Sequence, residues 1–241
     1  MKLVYDGTFE GFLSLIYSTY YEKYRPQAIY KEMPTSLFKD EYIEIVTDTD
    51  KAQKVFTAMK KKFHKKYMQT IANIFMCDQE DFELDLLHYT ILGFKDQTQL
   101  ENINIQSVFK INTLQKEFFH VHHKMTGFLR FEEIEDGTLY ARLETKCNVV
   151  YSLAKHFLKR FNNQNFIIHD IQRKIAFVKN ESFTGVKEVA KFDTPNFSQT
   201  EEKFQELWKT FFRSVSIAAR ENKRAQRQFV PFVYRIYMSE F

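Results

Sequence analysis

The closing segment of the chain, residues 204–241, carries two patterns at helical spacing. Apolar side chains recur at intervals that fit one face of an α-helix, at Phe204, Leu207, Trp208, Phe211, Phe212, Val215, Ala218 and Ala219. Cations recur at steps of three, four or seven residues, at Lys209, Arg213, Arg220, Arg224 and Arg227. We predict a helix that starts near Ser198 and buries its apolar face. If it continues to Arg227, it presents a cationic row on a second face.

The composition favours a single folded domain. Of the 241 residues, 44% are hydrophobic and 17% are aromatic, so the chain can bury a sizeable core, and six Gly and four Pro leave little material for linkers. We predict one compact domain over 1–241. Within it we distinguish a mainly helical lobe, 1–125, from a lobe of sheet plus C-terminal helix, 126–241.

The apolar runs and the cysteines indicate the cellular location of the protein and whether it binds a metal. No apolar stretch approaches the roughly 20 residues of a membrane span, and the N-terminus lacks the apolar core of a secretory signal. We therefore expect a cytoplasmic protein without a membrane partner. Cys77 and Cys147 lie outside metal-ligand spacing, so we expect two small buried side chains and no metal or other cofactor.

The first half of the chain has mainly helical patterns. KLVYDG predicts a short strand and a turn at Asp6, and Thr8 is placed to cap a helix in which Gly11 permits a close approach. EYIEIVT predicts a strand within the extended segment 27–47. Apolar residues at helical spacing predict helices from Thr49 to about Gly93. Asp50 is the predicted cap of the first helix, and the second helix covers about 79–93. A third helix follows at about 105–125.

The second half has strand patterns. Asp136-Gly137 separates two alternating runs and predicts a hairpin. Asn148 is a plausible cap for a helix, further strands follow within 165–192, and 193–199 predicts a loop. The order is strand, strand, helix, three strands, helix. We predict an α+β fold with an antiparallel sheet of about five strands, segregated helices and a mostly helical N-terminal half.

The closing cations are the leading candidates for contact with a polyanion. Arg220, Arg224 and Arg227 can hold phosphates bidentately, with Lys209 and Arg213 extending the row. The side chains of Gln226 and Gln228 can read base edges. Arg130 and Arg173 can extend a phosphate-binding face of the sheet. The alternative is a solvated C-terminal turn whose arginines complement a helix dipole and pair with nearby acids.

Other clusters have ordinary explanations beside the functional ones. His120 and His123 are three apart on a predicted helix and can face one metal ion, but packing or hydrogen bonding explains His123 equally well. Glu133 and Glu135 share a strand face, either for acid–base chemistry or to keep a hairpin edge soluble. The lysines at 60–66 are typical of a solvated helix face.

Several motifs together resemble one bacterial family of DNA metabolism and repair proteins, which contains the domain of unknown function 4130. The matching stretches are YDGTFEGFL at 5–13, the run at 125–142, NVV at 148–150, the run at 156–173 and the closing segment 207–241. The chain departs from the family pattern at Phe232-Val233, where two cations are usual. It also has Lys223 where a proline is usual.

The resemblance implies a DNA-repair setting without naming a reaction. Such proteins look like partners of a radical-SAM protein, and the domain is sometimes fused to a uracil-DNA-glycosylase-like module. Our first hypothesis is a DNA-binding accessory protein in which Phe229, Tyr234 or Tyr237 stacks on an unpaired base. A DNA-processing enzyme of glycosylase, lyase or nuclease type and an interaction scaffold without nucleic-acid contact are the alternatives. The chain has no strong catalytic motif, which favours the first and third hypotheses.

Overall fold

The computed structural model describes residues 1–34, 41–78, 81–189 and 195–241. They divide into an N-terminal unit, Met1–Phe118, and a C-terminal unit, Phe119–Phe241. The single domain inferred from composition stays a prediction. Across the part of the chain that the structure describes, no helix is long and apolar enough to cross a membrane.

The N-terminal unit combines helices with a small parallel sheet. Its elements in chain order are β1 (Lys2–Val4), α1 (Phe9–Tyr21), β2 (Ala28–Tyr30), β3 (Tyr42–Glu44), α2 (Thr49–Lys62), α3 (Lys65–Phe75), α4 (Glu83–Lys95) and a 3-10 helix, Gln97–Glu101. The next helix, α5 (Gln106–Phe128), begins in this unit. The strands lie in the order β2-β1-β3, both pairs parallel. The predicted strands at the N-terminus and in EYIEIVT are confirmed, and so is a mostly helical N-terminal half. The first two residues of the helix predicted at about 79–93 lie outside the described residues.

A hydrogen-bonded turn joins β1 to α1. The Asp6 carboxylate accepts from the backbone N–H of Thr8 at 2.9 Å and from the Thr47 hydroxyl at 2.6 Å. The Thr8 hydroxyl accepts from the N–H of Gly11 at 2.9 Å, which caps α1. Both roles were predicted. The predicted cap of α2 was wrong, because Asp48 and not Asp50 accepts from the first backbone N–H groups of that helix.

Gly11 lies against this turn, and replacing it by alanine is expected to lower the free energy of unfolding. An added Cβ would overlap the Asp6 carboxylate and lie 2.8 Å from Thr47 Oγ1. The displaced carboxylate would lose its hydrogen bonds, so we expect a loss of about 1–2 kcal/mol by urea unfolding. In an Asp6→Ala background Gly11→Ala should have a smaller effect. Equal losses in both backgrounds would contradict this explanation.

The C-terminal unit is built on a five-stranded sheet. Its elements are β4 (Phe131–Glu133), β5 (Leu139–Leu143), α6 (Val150–Arg160), β6 (Phe166–Asp170), β7 (Ile175–Lys179), β8 (Thr184–Glu188), α7 (Gln199–Ser214), a 3-10 helix at Ala218–Arg220, α8 (Lys223–Phe229) and a second 3-10 helix at Phe232–Tyr234. The sheet order is β4-β5-β6-β7-β8. The predicted α+β class is therefore confirmed, with five strands in this half. The strand predicted to extend to 192 and the loop predicted at 193–199 fall partly outside the described residues.

The sheet is mixed and not wholly antiparallel as predicted. β5 and β6 are parallel, while the other three neighbouring pairs are antiparallel. The reason is the connection: α6 carries the chain back to the end of the sheet at which β5 began, so β6 runs in the same direction. The predicted cap of α6 was wrong, because Val149 and not Asn148 takes the cap position; Asn148 accepts from the N–H of Val150 at 3.3 Å.

The predicted hairpin is confirmed by its turn. Gly137 has a φ of +79°, which favours glycine, and the Asp136 carboxylate accepts from the N–H of Thr138 at 2.8 Å. α6 packs on the sheet through aromatic rings. Phe131 of β4 meets Phe157 and Phe161 edge-on, with ring centroids 4.8 and 4.9 Å apart. Cys77 and Cys147, each in its own unit, are buried as predicted.

The closing helix differs from the prediction in length and in burial. It starts near Ser198 as predicted, and Ser198 caps it. However, α7 ends at Ser214 and a new helix begins after Asn222, whose side chain accepts from the N–H of Ala225 at 2.9 Å. Val215 and Ile217 are β-branched, and asparagine favours a cap over a helix interior, so the break follows from the sequence.

The apolar face of α7 was predicted to be buried, but much of it is exposed, and Trp208 and Phe212 are only half-buried. Phe204, Leu207 and Phe211 are 62%, 68% and 55% exposed. The polar start of the helix is attached to β4 instead: the N–H of Ser198 donates to the Glu133 carbonyl, and the Glu201 carboxylate accepts from the N–H of Glu133, both at 2.9 Å. These bonds cover the β4 edge and set the direction of α7.

Candidate nucleic-acid interface

The predicted cations lie on three short elements and do not form one helical row. Lys209 and Arg213 are on α7, Arg220 ends the 3-10 helix, and Arg224 and Arg227 are on α8 with Gln226 and Gln228. All seven side chains are exposed. Because α7 stops at Ser214, the single face expected from a continuous helix is absent. We call residues 209–227 the cationic segment.

The cationic segment holds the charge excess of the protein. It has six Lys and Arg residues and one carboxylate, Glu221, which gives +5, whereas the whole chain carries +4. Glu221 lies 3.9 Å from Lys223, and both side chains are largely exposed, so this pair is weak. In the described residues Arg220 and Arg224 have no carboxylate within salt-bridge distance. The positive charge here is therefore largely uncompensated.

Two predicted site residues share an open pocket. Arg220 and Gln226 line a cavity of about 370 Å³ together with Val215, Ile217 and Asn222. The break between α7 and α8 creates this pocket, so a continuous helix would not have it. It pairs a cation with an amide, which are the groups that bind a phosphate and a base edge.

Arg227 is held by an aromatic ring. Its guanidinium carbon lies 5.4 Å from the centroid of Phe232, and that of Arg235 lies 4.9 Å from the same centroid. Phe232 is 63% exposed and holds the Arg227 guanidinium at the surface, whereas Arg235 is half-buried.

Arg173 has an internal role. It lies in the turn after β6 and not on a strand of the sheet. Its guanidinium donates to the Asp170 carboxylate and to the Thr145 carbonyl, each at 2.8 Å, and to the Lys146 carbonyl at 2.9 Å. The Asp170 side chain is fully buried. Arg173 therefore fixes the ends of β5 and β6, and its contact with DNA stays a prediction.

Arg130 also has internal partners. It donates to the Glu240 carboxylate, at 2.5 Å for the shortest bond, and to the Gly127 carbonyl at 2.9 Å. Burial alone would raise the pKa of Glu240, but the hydrogen bonds from Arg130 outweigh it and hold that pKa below its usual range. Arg130 thus attaches the C-terminal residues to the loop before β4. As a DNA contact it stays a prediction.

A cluster of polar side chains lies where β5 and β6 run parallel. Tyr140 Oη and His169 Nδ1 are 2.9 Å apart and buried. Arg142, which pairs with His169 in the strand register, donates to Glu132 at 2.7 Å. Sequence reasoning missed Tyr140 and Arg142. Alternation places them on one strand face, but only the parallel pairing brings His169 beside them.

Tyr237 connects this cluster to the C-terminal residues. It donates to the Glu144 carboxylate, and the Arg142 guanidinium carbon lies 5.0 Å from its ring centroid. Burial, with the neighbouring Glu144, raises the pKa of Tyr237 to about 12. Tyr237 therefore stays protonated as a hydrogen-bond donor. It is half-buried, which limits its role as the exposed stacking ring that we predicted.

His169 makes the stability of the C-terminal unit depend on pH. Burial lowers its pKa below the usual value of about 6.5, so at mildly acidic pH the unfolded chain binds a proton that the folded chain does not. Stability should therefore fall as the pH drops from about 6.5 through the folded pKa. We expect a lower urea midpoint at about pH 5.5 than at pH 7.5, and a smaller difference in His169→Gln. The pKa of His122 is also lowered by burial and contributes in the same direction. An unchanged pH dependence in His169→Gln would contradict the assignment to His169.

The histidines of α5 do not gather into a metal site with other ligands. His120 and His123 are exposed, and His122 is half-buried. Among the described residues, no group of three or more His, Cys, Asp or Glu side chains is arranged to hold a metal ion.

A larger cavity, of about 690 Å³, opens beside the cationic segment on the same helix. Its walls come from the end of α5, β4, the end of α6, α7 and the C-terminal residues. Glu132 and Glu133, expected on opposite strand faces, both line it. Phe204, Gln205 and Trp208 of α7 complete the lining, so one helix contributes both cavity residues and the cations Lys209 and Arg213.

A known protein family matches most of this chain. A family model described as a domain of unknown function, DUF4130, matches residues 80–240, about two thirds of the chain. The chain belongs to this family. Its matched region contains the cationic segment, the polar cluster and the larger cavity, so all three lie in the DUF4130 domain. Among curated proteins, none matches the chain.

Proposed function

We propose that the protein is a DNA-binding accessory protein of DNA repair or modification that acts with a radical-SAM partner. The observation that carries the DNA-binding proposal is the concentration of exposed, uncompensated positive charge at 209–227. A nucleic acid backbone releases counterions when cations neutralise its phosphates, and this term dominates nonspecific affinity. A local excess of five charges is enough for such binding.

The helix dipole explains only some of these cations. Arg213 and Arg227 lie in the last turns of α7 and α8, where a cation is favourable. Lys223 and Arg224 lie in the first turn of α8, where a cation is unfavourable. Their positions therefore lower the stability of the isolated helix. An external anion would offset that loss.

Exposed aromatic rings favour single-stranded DNA. Phe211, Phe229 and Phe232 are 55%, 69% and 63% exposed and lie within or beside the cationic segment. Unpaired bases stack on such rings, whereas the bases of a duplex are already stacked. Of the three rings that we predicted to stack, Phe229 is exposed, whereas Tyr234 and Tyr237 are half-buried.

Fluorescence anisotropy with labelled oligonucleotides tests the proposal. We expect binding at about 50 mM salt that weakens steeply as salt rises, with single strands bound more tightly than duplexes of equal length. Undetectable binding of both forms at about 50 mM salt would overturn the DNA-binding proposal and leave an interaction scaffold for an acidic protein.

The radical-SAM partner rests on the family resemblance alone. Co-expression of the two proteins followed by size-exclusion chromatography tests it separately from DNA binding. Elution as a complex is the expected result. Separate elution, with and without DNA, would remove the partner from the proposal.

A DNA-processing enzyme is the second candidate, favoured by the polar cluster of Tyr140, His169 and Arg142. These side chains bring together a buried imidazole, a phenol and a guanidinium, which are groups that serve proton transfer elsewhere. Incubation with uracil-containing or alkylated oligonucleotides and a divalent metal tests it. Product formation that is lost in His169→Gln would favour the enzyme over the accessory protein.

A further inference from the structure

The 690 Å³ cavity of the C-terminal unit has the size of a small-molecule or nucleotide site. Its lining is rich in aromatic rings: Phe131, Phe161, Phe204, Trp208 and Tyr237. Phe131 and Phe161 are fixed edge-on at 4.9 Å, and they form a rigid inner wall. Phe204 is 62% exposed and lies at the open side. Rings of this kind offer flat faces to a flat ligand.

The polar lining is ordered by the attachment of α7 to β4. Gln205 Nε2 donates to Glu132 and to Glu201, each at 3.1 Å. Thr200 donates to one oxygen of Glu133 at 3.3 Å, and in the described residues the other oxygen has no hydrogen-bond partner. That oxygen can accept from a ligand N–H group. The cavity therefore combines aromatic faces with an oriented acceptor.

A cation lies at the cavity. Arg160, at the end of α6, is exposed, lies 5.9 Å from the Phe161 ring centroid and has no salt-bridge partner among the described residues. Its charge suits a phosphate group attached to a ligand whose flat part lies inside. Lys209 and Arg213 continue the positive charge along α7 toward the rest of the cationic segment.

Trp208 lines the cavity with its indole ring. Its buried N–H lies near the Glu240 carboxylate, whose pKa it helps to lower.

We propose that this cavity binds one unstacked nucleobase of a DNA strand whose backbone lies along the cationic segment. The inference rests on the proposed function and adds a site to it. A nucleobase has the two π-faces and the N–H donors that the lining complements, and its phosphate matches Arg160. Glu133 favours a base with an exocyclic amino group, such as cytosine, over thymine.

Trp208 is the only tryptophan in the chain, so its fluorescence reports on the cavity directly. The experiment uses the full chain with two labelled single strands of equal length and charge, an oligodeoxycytidine and the same backbone made of abasic spacers. Anisotropy reports binding of the strand. Trp208 fluorescence reports entry of a base into the cavity.

We expect the oligodeoxycytidine to bind about tenfold more tightly than the abasic strand and to quench Trp208, whereas the abasic strand binds without quenching. Equal affinities with an unchanged Trp208 signal would overturn the cavity inference and leave the proposed function intact. If neither strand binds at about 50 mM salt, the proposed function fails and the inference fails with it.

A matched pair of exposed residues on α7 tests the site by substitution. Phe204→Ala should lower the affinity for the oligodeoxycytidine about tenfold and leave the affinity for the abasic strand unchanged. Leu207 is 68% exposed on the same helix but does not line the cavity, so Leu207→Ala should change neither. An equal loss in both variants would assign the effect to the exposed apolar face of α7 and overturn the inference.

Discussion

Replacing Arg220, Arg224 and Arg227 together by glutamine should lower the affinity for single-stranded DNA on the order of a hundredfold at about 0.1 M salt, because three phosphate contacts are lost. The slope of log affinity against log salt should become shallower by about 2. The loss should be similar for different base sequences, since phosphate contacts carry no sequence information. Anisotropy titrations at several salt concentrations measure both quantities.

A control with the same change in net charge separates this site from bulk electrostatics. Lys61, Lys65 and Lys116 are exposed on helices of the N-terminal unit and have no partners among the described residues. Their triple glutamine variant should bind DNA with an affinity within about threefold of the unchanged protein, because these lysines are not part of the cationic segment. If both triple variants lose equal affinity, the cationic segment is not the DNA-binding site.

Removing the guanidinium of Arg173 should cause the largest loss of stability among single substitutions of the charged residues considered. Arg173→Met leaves the fully buried Asp170 carboxylate without its cation, and it also removes the donors to the Thr145 and Lys146 carbonyls. We expect a loss of about 3 kcal/mol or more in the free energy of unfolding. Urea unfolding followed by Trp208 fluorescence monitors the C-terminal unit specifically, because the only tryptophan lies there.

The exposed ion pair of the same unit is the control. Lys223 lies 3.9 Å from Glu221 with both side chains largely exposed, so Lys223→Met should change stability by less than about 0.5 kcal/mol. A loss below about 1 kcal/mol in Arg173→Met would show that the buried pair does not hold the ends of β5 and β6 together.

Local sequence signals predicted most of the elements because their causes are local. Asp136-Gly137 specifies its own turn, and Ser198 and Thr8 cap helices through their own hydroxyl groups. The parallel pairing of β5 and β6 was missed because the direction of a strand depends on the path of its connection. That path is a property of the whole unit.

The site was harder to predict than the fold for a related reason. Periodicity identified the apolar and cationic residues of the closing segment, but burial depends on what packs against a face. The polar contacts of Ser198 and Glu201 with β4 decide the direction of α7, and they leave Phe204 exposed. The cavity combines residues from five helices and strands, and no short motif records such a combination.

The strands of the C-terminal sheet lie side by side in the same order as they occur along the chain. Each strand therefore pairs with a neighbour that is close in sequence, and the largest loop closed within the sheet is the one that contains α6. Topologies of this kind have low contact order and fold fast, and this sheet can grow strand by strand during synthesis. The hydrogen bonds of Ser198 and Glu201 with β4 join residues that are separated in sequence by the other four strands of the sheet. We therefore expect the segment that carries the cations to attach last, after the sheet that supports it has formed.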